Sequence, residues 1–137
     1  MKKIIYSSIA VFIAMNVFDF IVHGVILDSA YKETQALWRP DMQSLMWVYT
    51  IISLVGAFFF TFIFSKGFEG KGIAEGARYG LYIGIWMSIG MAYGTYAMIA
   101  IPYSMAVQWF IYGIIEYVIY GIIVALIFGK KSETPAA

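Results

Sequence analysis

The sequence predicts an all-α membrane protein: an antiparallel bundle of four transmembrane helices with both termini on the cytoplasmic side. Three observations carry that expectation. The 137-residue chain is 62% hydrophobic and 12% charged, with a mean hydropathy of +0.81, whereas a soluble domain carries roughly 25% charged residues. A chain of this size buries only about 70% of the surface it exposes unfolded, so lipid must cover the remainder. Second, four apolar runs, over 4–27, 43–65, 79–100 and 105–128, each reach the length of about 20 residues that a bilayer core requires. Third, lysine and arginine concentrate on the cytoplasmic side of membrane proteins. With the N-terminus inside, Lys2, Lys3, Lys66, Lys71, Arg78, Lys130 and Lys131 fall on that side, leaving Lys32 and Arg39 outside.

The elements follow in order. "MKK" and the apolar run behind it resemble a signal peptide, but the run is longer than an h-region of about 7–15 residues, contains Asp19 and His23, and lacks an A-x-A-like cleavage site. It reads as a retained first helix. Residues 28–42 form an outer loop in which Tyr31, Leu37 and Trp38 mix with charges, as in an amphipathic segment lying at the interface, ended at Arg39 by Pro40. After the second span, residues 66–78 make a cytoplasmic turn and helix start, with Glu75 and Arg78 expected to pair at i, i+3. A short uncharged turn around Pro102 forces spans three and four into a hairpin. One transmembrane domain thus covers 1–137, with 129–137 as a cytoplasmic tail.

Composition also limits function. A net charge of +1 gives no field for nucleic acid. Without cysteine there is no disulfide, thiolate nucleophile or iron–sulfur ligand. The glycine-rich "EGKGIAEGARYG" at 69–80 lacks the order G-x-x-x-x-G-K-[ST] of a phosphate loop. No motif requires a cofactor.

At 100° per residue, Phe12, Asn16, Asp19 and His23 share one stripe of span one, within about 60° of one another. Trp109, Tyr112, Gly113, Glu116, Tyr120 and Ile123 share one stripe of span four, and Met46, Thr50, Ser53, Ala57 and Thr61 one face of span two. On span three Gly80, Gly84, Met87, Ser88, Met91, Gly94, Thr95 and Met98 form a small-residue side, expected inward because small residues permit close helix contact in lipid. Met87, Met91 and Met98 read as gap-fillers between glycines rather than copper ligands. The opposite side, Tyr79, Tyr82, Trp86, Tyr93 and Tyr96, is left for lipid or for a protein partner, either a second copy or a larger membrane complex.

An ionisable group facing lipid near the bilayer centre costs about 2.5–3.5 kcal/mol on insertion scales, so such groups turn inward and pair. Helix rise places Asp19 roughly 13 Å, His23 roughly 7 Å and Glu116 roughly 16 Å below the outer boundary. Two carboxyls in one low-dielectric site do not both ionise cheaply. A shared proton, a cation or His23 would neutralise them. The chemistry this allows is a proton relay, a hard-cation site with oxygens from Asn16, Asp19 and Glu116, or a metal site adding His23. Tyr112 and Tyr120 flank Glu116 as donors, and Trp38 with Arg39 would act as a lid over the His23 end. The plain alternative is that these groups simply hydrogen-bond the bundle together.

Asp19-x3-His23-Gly24, Tyr31, "LWRP" at 37–40, "EGARYG" at 75–80, "IPYS" at 101–104 and Glu116 together resemble a set of small four-helix bacterial membrane proteins described as domains of unknown function. The resemblance implies the bacterial inner membrane and brings no activity with it. The expectation is therefore a non-enzymatic membrane protein, an accessory subunit or a small transporter-like bundle. The alternative is an intramembrane hydrolase or transferase using Asp19, His23 and Glu116 as acid–base groups.

Overall fold

A computed structural model of the chain describes residues 1–129, and among these the backbone is helical without strands. The helices are α1 (Lys2–Ile21), α2 (Asp28–Glu33), α3 (Met46–Lys66), α4 (Ile73–Met98) and α5 (Tyr103–Phe128). α1 runs directly into a π-helical turn, Val22–Ile26, and 3-10 turns at Gln35–Leu37 and Met42–Leu45 lead the chain into α3. Among the described residues, Lys2–Ile26, Met42–Lys66 and Tyr103–Phe128 are long and apolar enough to cross a membrane. α4 is as long as α5, at 26 residues, but five glycines, Glu75 and Arg78 dilute its apolar character. The expected tail beyond Gly129, with Lys130 and Lys131, lies outside the described residues.

α4 begins at Ile73, earlier than the apolar run suggests, and its first turn explains why. Gly70 and Gly72 adopt φ of 84° and 78°, a region open to glycine, and so fold the loop back over the helix start. The buried carboxylate of Glu75 accepts the backbone N–H groups of Glu69 (2.6 Å) and Lys71 (2.7 Å). This corrects the expected Glu75–Arg78 pair. Arg78 instead approaches Glu69 (3.8 Å), which also pairs with Lys71.

α4 and α5 form an antiparallel hairpin of near-touching backbones. A Cβ placed on Gly76 would strike the Gly121 carbonyl, one on Gly80 the Tyr117 carbonyl, and one on Gly121 the Gly76 carbonyl. The buried face of α4 is Gly76, Gly80, Gly84, Ser88 and Ala92, narrower than the expected small-residue side. Met87, Met91 and Met98 are exposed, which overturns their reading as gap-fillers, because the facing helix sits too close for long side chains. Tyr79 and Tyr93 leave the aromatic side. The Tyr79 hydroxyl donates to the Phe60 carbonyl at 2.6 Å, and Tyr93 packs on Phe110. Tyr82, Trp86 and Tyr96 stay exposed.

The core divides into two apolar clusters along the bundle. The first, toward the end where α1 begins, gathers Val11 and Met15 from α1, Ala57, Phe60 and Phe64 from α3, and Tyr120, Val124, Ala125 and Phe128 from α5. Lys3 Nζ donates to the Phe128 carbonyl at 2.5 Å, placing a cation at the negative end of the α5 dipole. The second, at the opposite end, gathers Val22, Leu27, Ala92, Ile101, Met105, Ala106 and Trp109.

Candidate functional site

The gap between the two clusters holds the two carboxyls. Asp19 lies on α1 between Met15 and Val22, and Glu116 on α5 between Trp109 and Tyr120. Glu116 is 9% exposed and its Oε1 has no hydrogen-bond partner, while Asp19 is half-buried. Both carboxyls act electrostatically on Tyr117 and Tyr120, Asp19 acts on Glu116, and the Tyr120 hydroxyl lies beside the Glu116 carboxyl. α1 and α5 therefore bring both acids into one environment between apolar layers.

His23 sits above the pair, on the π turn. That turn holds one residue more per repeat than an α-helix, and such bulges recur at functional sites. His23 Nδ1 is 2.7 Å from the Tyr31 hydroxyl, and the imidazole also packs on Trp109 at 6.3 Å between centroids. Tyr31 stacks on Trp109 (6.2 Å, 29°), and Trp38 closes over both at 5.6 and 6.1 Å. The Trp38 indole N–H donates to Thr34 Oγ1 at 3.0 Å, and Thr34 Oγ1 donates to the Ala30 carbonyl at 2.7 Å, so α2 fixes the lid tryptophan by a local chain of bonds. Burial raises the pKa of the Tyr31 phenol, so it stays a neutral hydroxyl. The Trp109 indole N–H is buried without a partner of good geometry. These four rings form a roof over the acid pair.

Other expected members lie elsewhere. Asn16 is exposed and its Nδ2 donates to the Phe12 carbonyl at 2.8 Å. Its amide nitrogen is engaged with its own helix, and its exposed side chain does not share the burial of Glu116. Arg39 does not join Trp38 in the lid: Nε and Nη2 bind the two oxygens of Asp41, each at 3.0 Å. That guanidinium holds the Asp41 carboxyl below its usual range. Pro40 lies between them, and the tight turn makes Asp41 the nearest anion. Tyr112 packs against the upper cluster with Trp109, one turn from Glu116. Among the described residues no three of Asp, Glu and His are arranged to hold a metal ion. The metal centre adding His23 is therefore not assembled, since Tyr31 and Trp109 engage the imidazole.

The sequence reading named Tyr31 and Trp109 without joining them to His23. The i, i+4 pair Thr34–Trp38 and the eight-residue step from His23 to Tyr31 were the available signals, hidden by the change of helical period at the π turn. Comparison with protein-family models, with curated proteins and with solved structures finds no match to this chain.

Proposed function

We propose that the chain is a small transporter-like bundle that crosses the membrane four times with both termini cytoplasmic, and that its working part is the Asp19–Glu116 pair, which takes up and releases a proton or a cation. The observation that carries this is the unpartnered Glu116 Oε1, buried beside a second carboxyl. A group placed only for scaffolding would have its bonds filled, because an unmet buried acceptor costs about 1–3 kcal/mol and more when charged. His23 is held by Tyr31, so an acid–base enzyme has less support. The exposed Trp86, at 67%, well inside α4, favours a second reading as a subunit of a membrane complex, which a native gel would reveal as a stable hetero-complex.

α4 is taken as span three because its glycine face lies against α5, which is long and apolar enough to cross a membrane, and only residues 99–102 separate the two helices. The membrane proposed is the bacterial cytoplasmic one, following the resemblance. For the topology, a cysteine placed at Ser29 should react with a membrane-impermeant maleimide from outside. Labelling only from the cytoplasm would invert the arrangement.

For the pair, the test is infrared carboxyl absorption followed against pH. In wild type the two acids should titrate as a coupled unit, and Asp19→Asn should displace the Glu116 titration, because one charge then no longer acts on the other. An unchanged Glu116 band in Asp19→Asn would place the acids in separate environments and remove the proposed site.

A further inference from the structure

The bundle is open on one side above the middle. By helical period Met46, Tyr49, Ser53, Ala57, Phe60 and Phe64 lie along one face of α3. From Ser53 to Phe64 that face is buried, yet Met46 and Tyr49 on the same face are 44% and 58% exposed. α3 contributes to the lower apolar cluster and not to the upper one. On the N-terminal side of Ser53 that face of α3 is therefore left unpacked. α1 and α3 pass with Met15 beside Gly56, so the next turn of each helix brings Asp19 level with the segment around Ser53. Apolar clusters lie on either side of the acid pair along the bundle axis, and the half-buried Asp19 stands at the level where the unpacked stretch of α3 begins.

We propose that the opening admits a lipophilic organic cation from the surrounding lipid to the Asp19–Glu116 pair, an assignment that rests on reading the pair as a cation site and names its substrate class. Charge is the first argument. In the outer half Lys32 and Arg39 are exposed and paired with Asp28 and Asp41, and His23 is bound to Tyr31, so no basic side chain of the described residues faces the two acids. The second is the wall chemistry. Tyr49 stands at the mouth, close enough to act on Tyr31, while Phe18, next to Asp19 in the chain, packs edge to face on Tyr120, which lies beside the Glu116 carboxyl. Aromatic faces attract a cation through the ring quadrupole, most strongly where water is excluded. The third is the route. A strongly hydrated inorganic ion needs a water path, whereas a delocalised cation with apolar bulk partitions into lipid and reaches the pair directly. The half-buried Asp19 carboxyl is the one the cation meets first, with the buried, unpartnered Glu116 oxygen supplying the second charge.

Tetraphenylphosphonium binding to the purified full-length protein, measured by isothermal titration in detergent, tests this, with uncharged triphenylphosphine oxide as the control for aryl bulk. The phosphonium should saturate and the oxide should not. Glu116→Gln should weaken phosphonium binding at least tenfold, and Tyr49→Ala several-fold while leaving the infrared titration of the acids unchanged. Should Glu116→Gln lose its helical circular dichroism, Asp19→Asn takes its place. Equal binding of oxide and phosphonium, or phosphonium binding indifferent to the acids, overturns the proposal. Absence of binding in a wild type that still shows coupled carboxyl titration overturns the organic cation alone and leaves the proton reading standing. Absence of both removes the two together.

Discussion

Gly121→Ala should lower the stability of the bundle by about 3 kcal/mol, the upper part of the range for overpacking a tight core, measured as unfolding by sodium dodecyl sulfate. The added methyl has no place to go. It would meet the Gly76 carbonyl oxygen, with the Gly76 carbonyl carbon at 2.9 Å and the Gly80 nitrogen at 3.0 Å, all backbone atoms of a helix that can move only as a whole. Gly80→Ala should behave alike, since its Cβ would meet the Tyr117 carbonyl and the Val118 Cα at 2.7 Å. Gly90→Ala and Gly94→Ala are the controls, because a Cβ at either position meets nothing within 4 Å. Those changes should be neutral or stabilising by up to about 1 kcal/mol from helix propensity. If Gly121→Ala proved as harmless as Gly90→Ala, the hairpin would not be packed as described.

Glu75→Ala should free the 67–72 loop at a cost of about 3 kcal/mol. Hydrogen bonds to a charged group contribute about 1.5–3 kcal/mol each, and this carboxylate accepts two, from the Glu69 and Lys71 backbone. Losing it strands both N–H groups beside a helix start that has no other side-chain cap. Limited proteolysis reads the effect directly: trypsin should cut at Lys71 much faster in Glu75→Ala than in wild type. Glu75→Gln should recover part of the protection, because the amide oxygen still accepts one bond. Equal cleavage of wild type and Glu75→Ala would show that the loop is held by other contacts.

The helices were legible in the sequence because apolar runs fix them: α1, α3 and α5 lie within a few residues of the runs at 4–27, 43–65 and 105–128. The start of α4 was legible only as lying within 66–78, and the partner of Glu75 was misjudged: helical spacing offers Arg78, whereas the carboxylate is turned into its own loop. Periodicity also put Glu116 on a face of α5 that is buried and Asp19 on a half-buried face of α1. It failed at Asn16, whose side chain bonded its own backbone, and at Met87 and Met91, because the depth of a helix contact depends on the partner's glycines. The roof was beyond reach for another reason. His23, Tyr31 and Trp38 follow a π turn and two short helices, and 100° counting loses phase there.

α4 leaves the ribosome before α5, carrying Glu75, Arg78 and five glycines, so by itself it has a weak drive to enter a bilayer. α5, almost wholly apolar, enters readily. Among the described residues Gly76, Gly80 and Gly84 of α4 pack on α5, so on the four-span reading α4 waits at the membrane surface until its partner arrives. On that same reading the two enter as one biosynthetic unit, and a nascent chain cut short before Tyr103 would leave α4 without the surface it packs on.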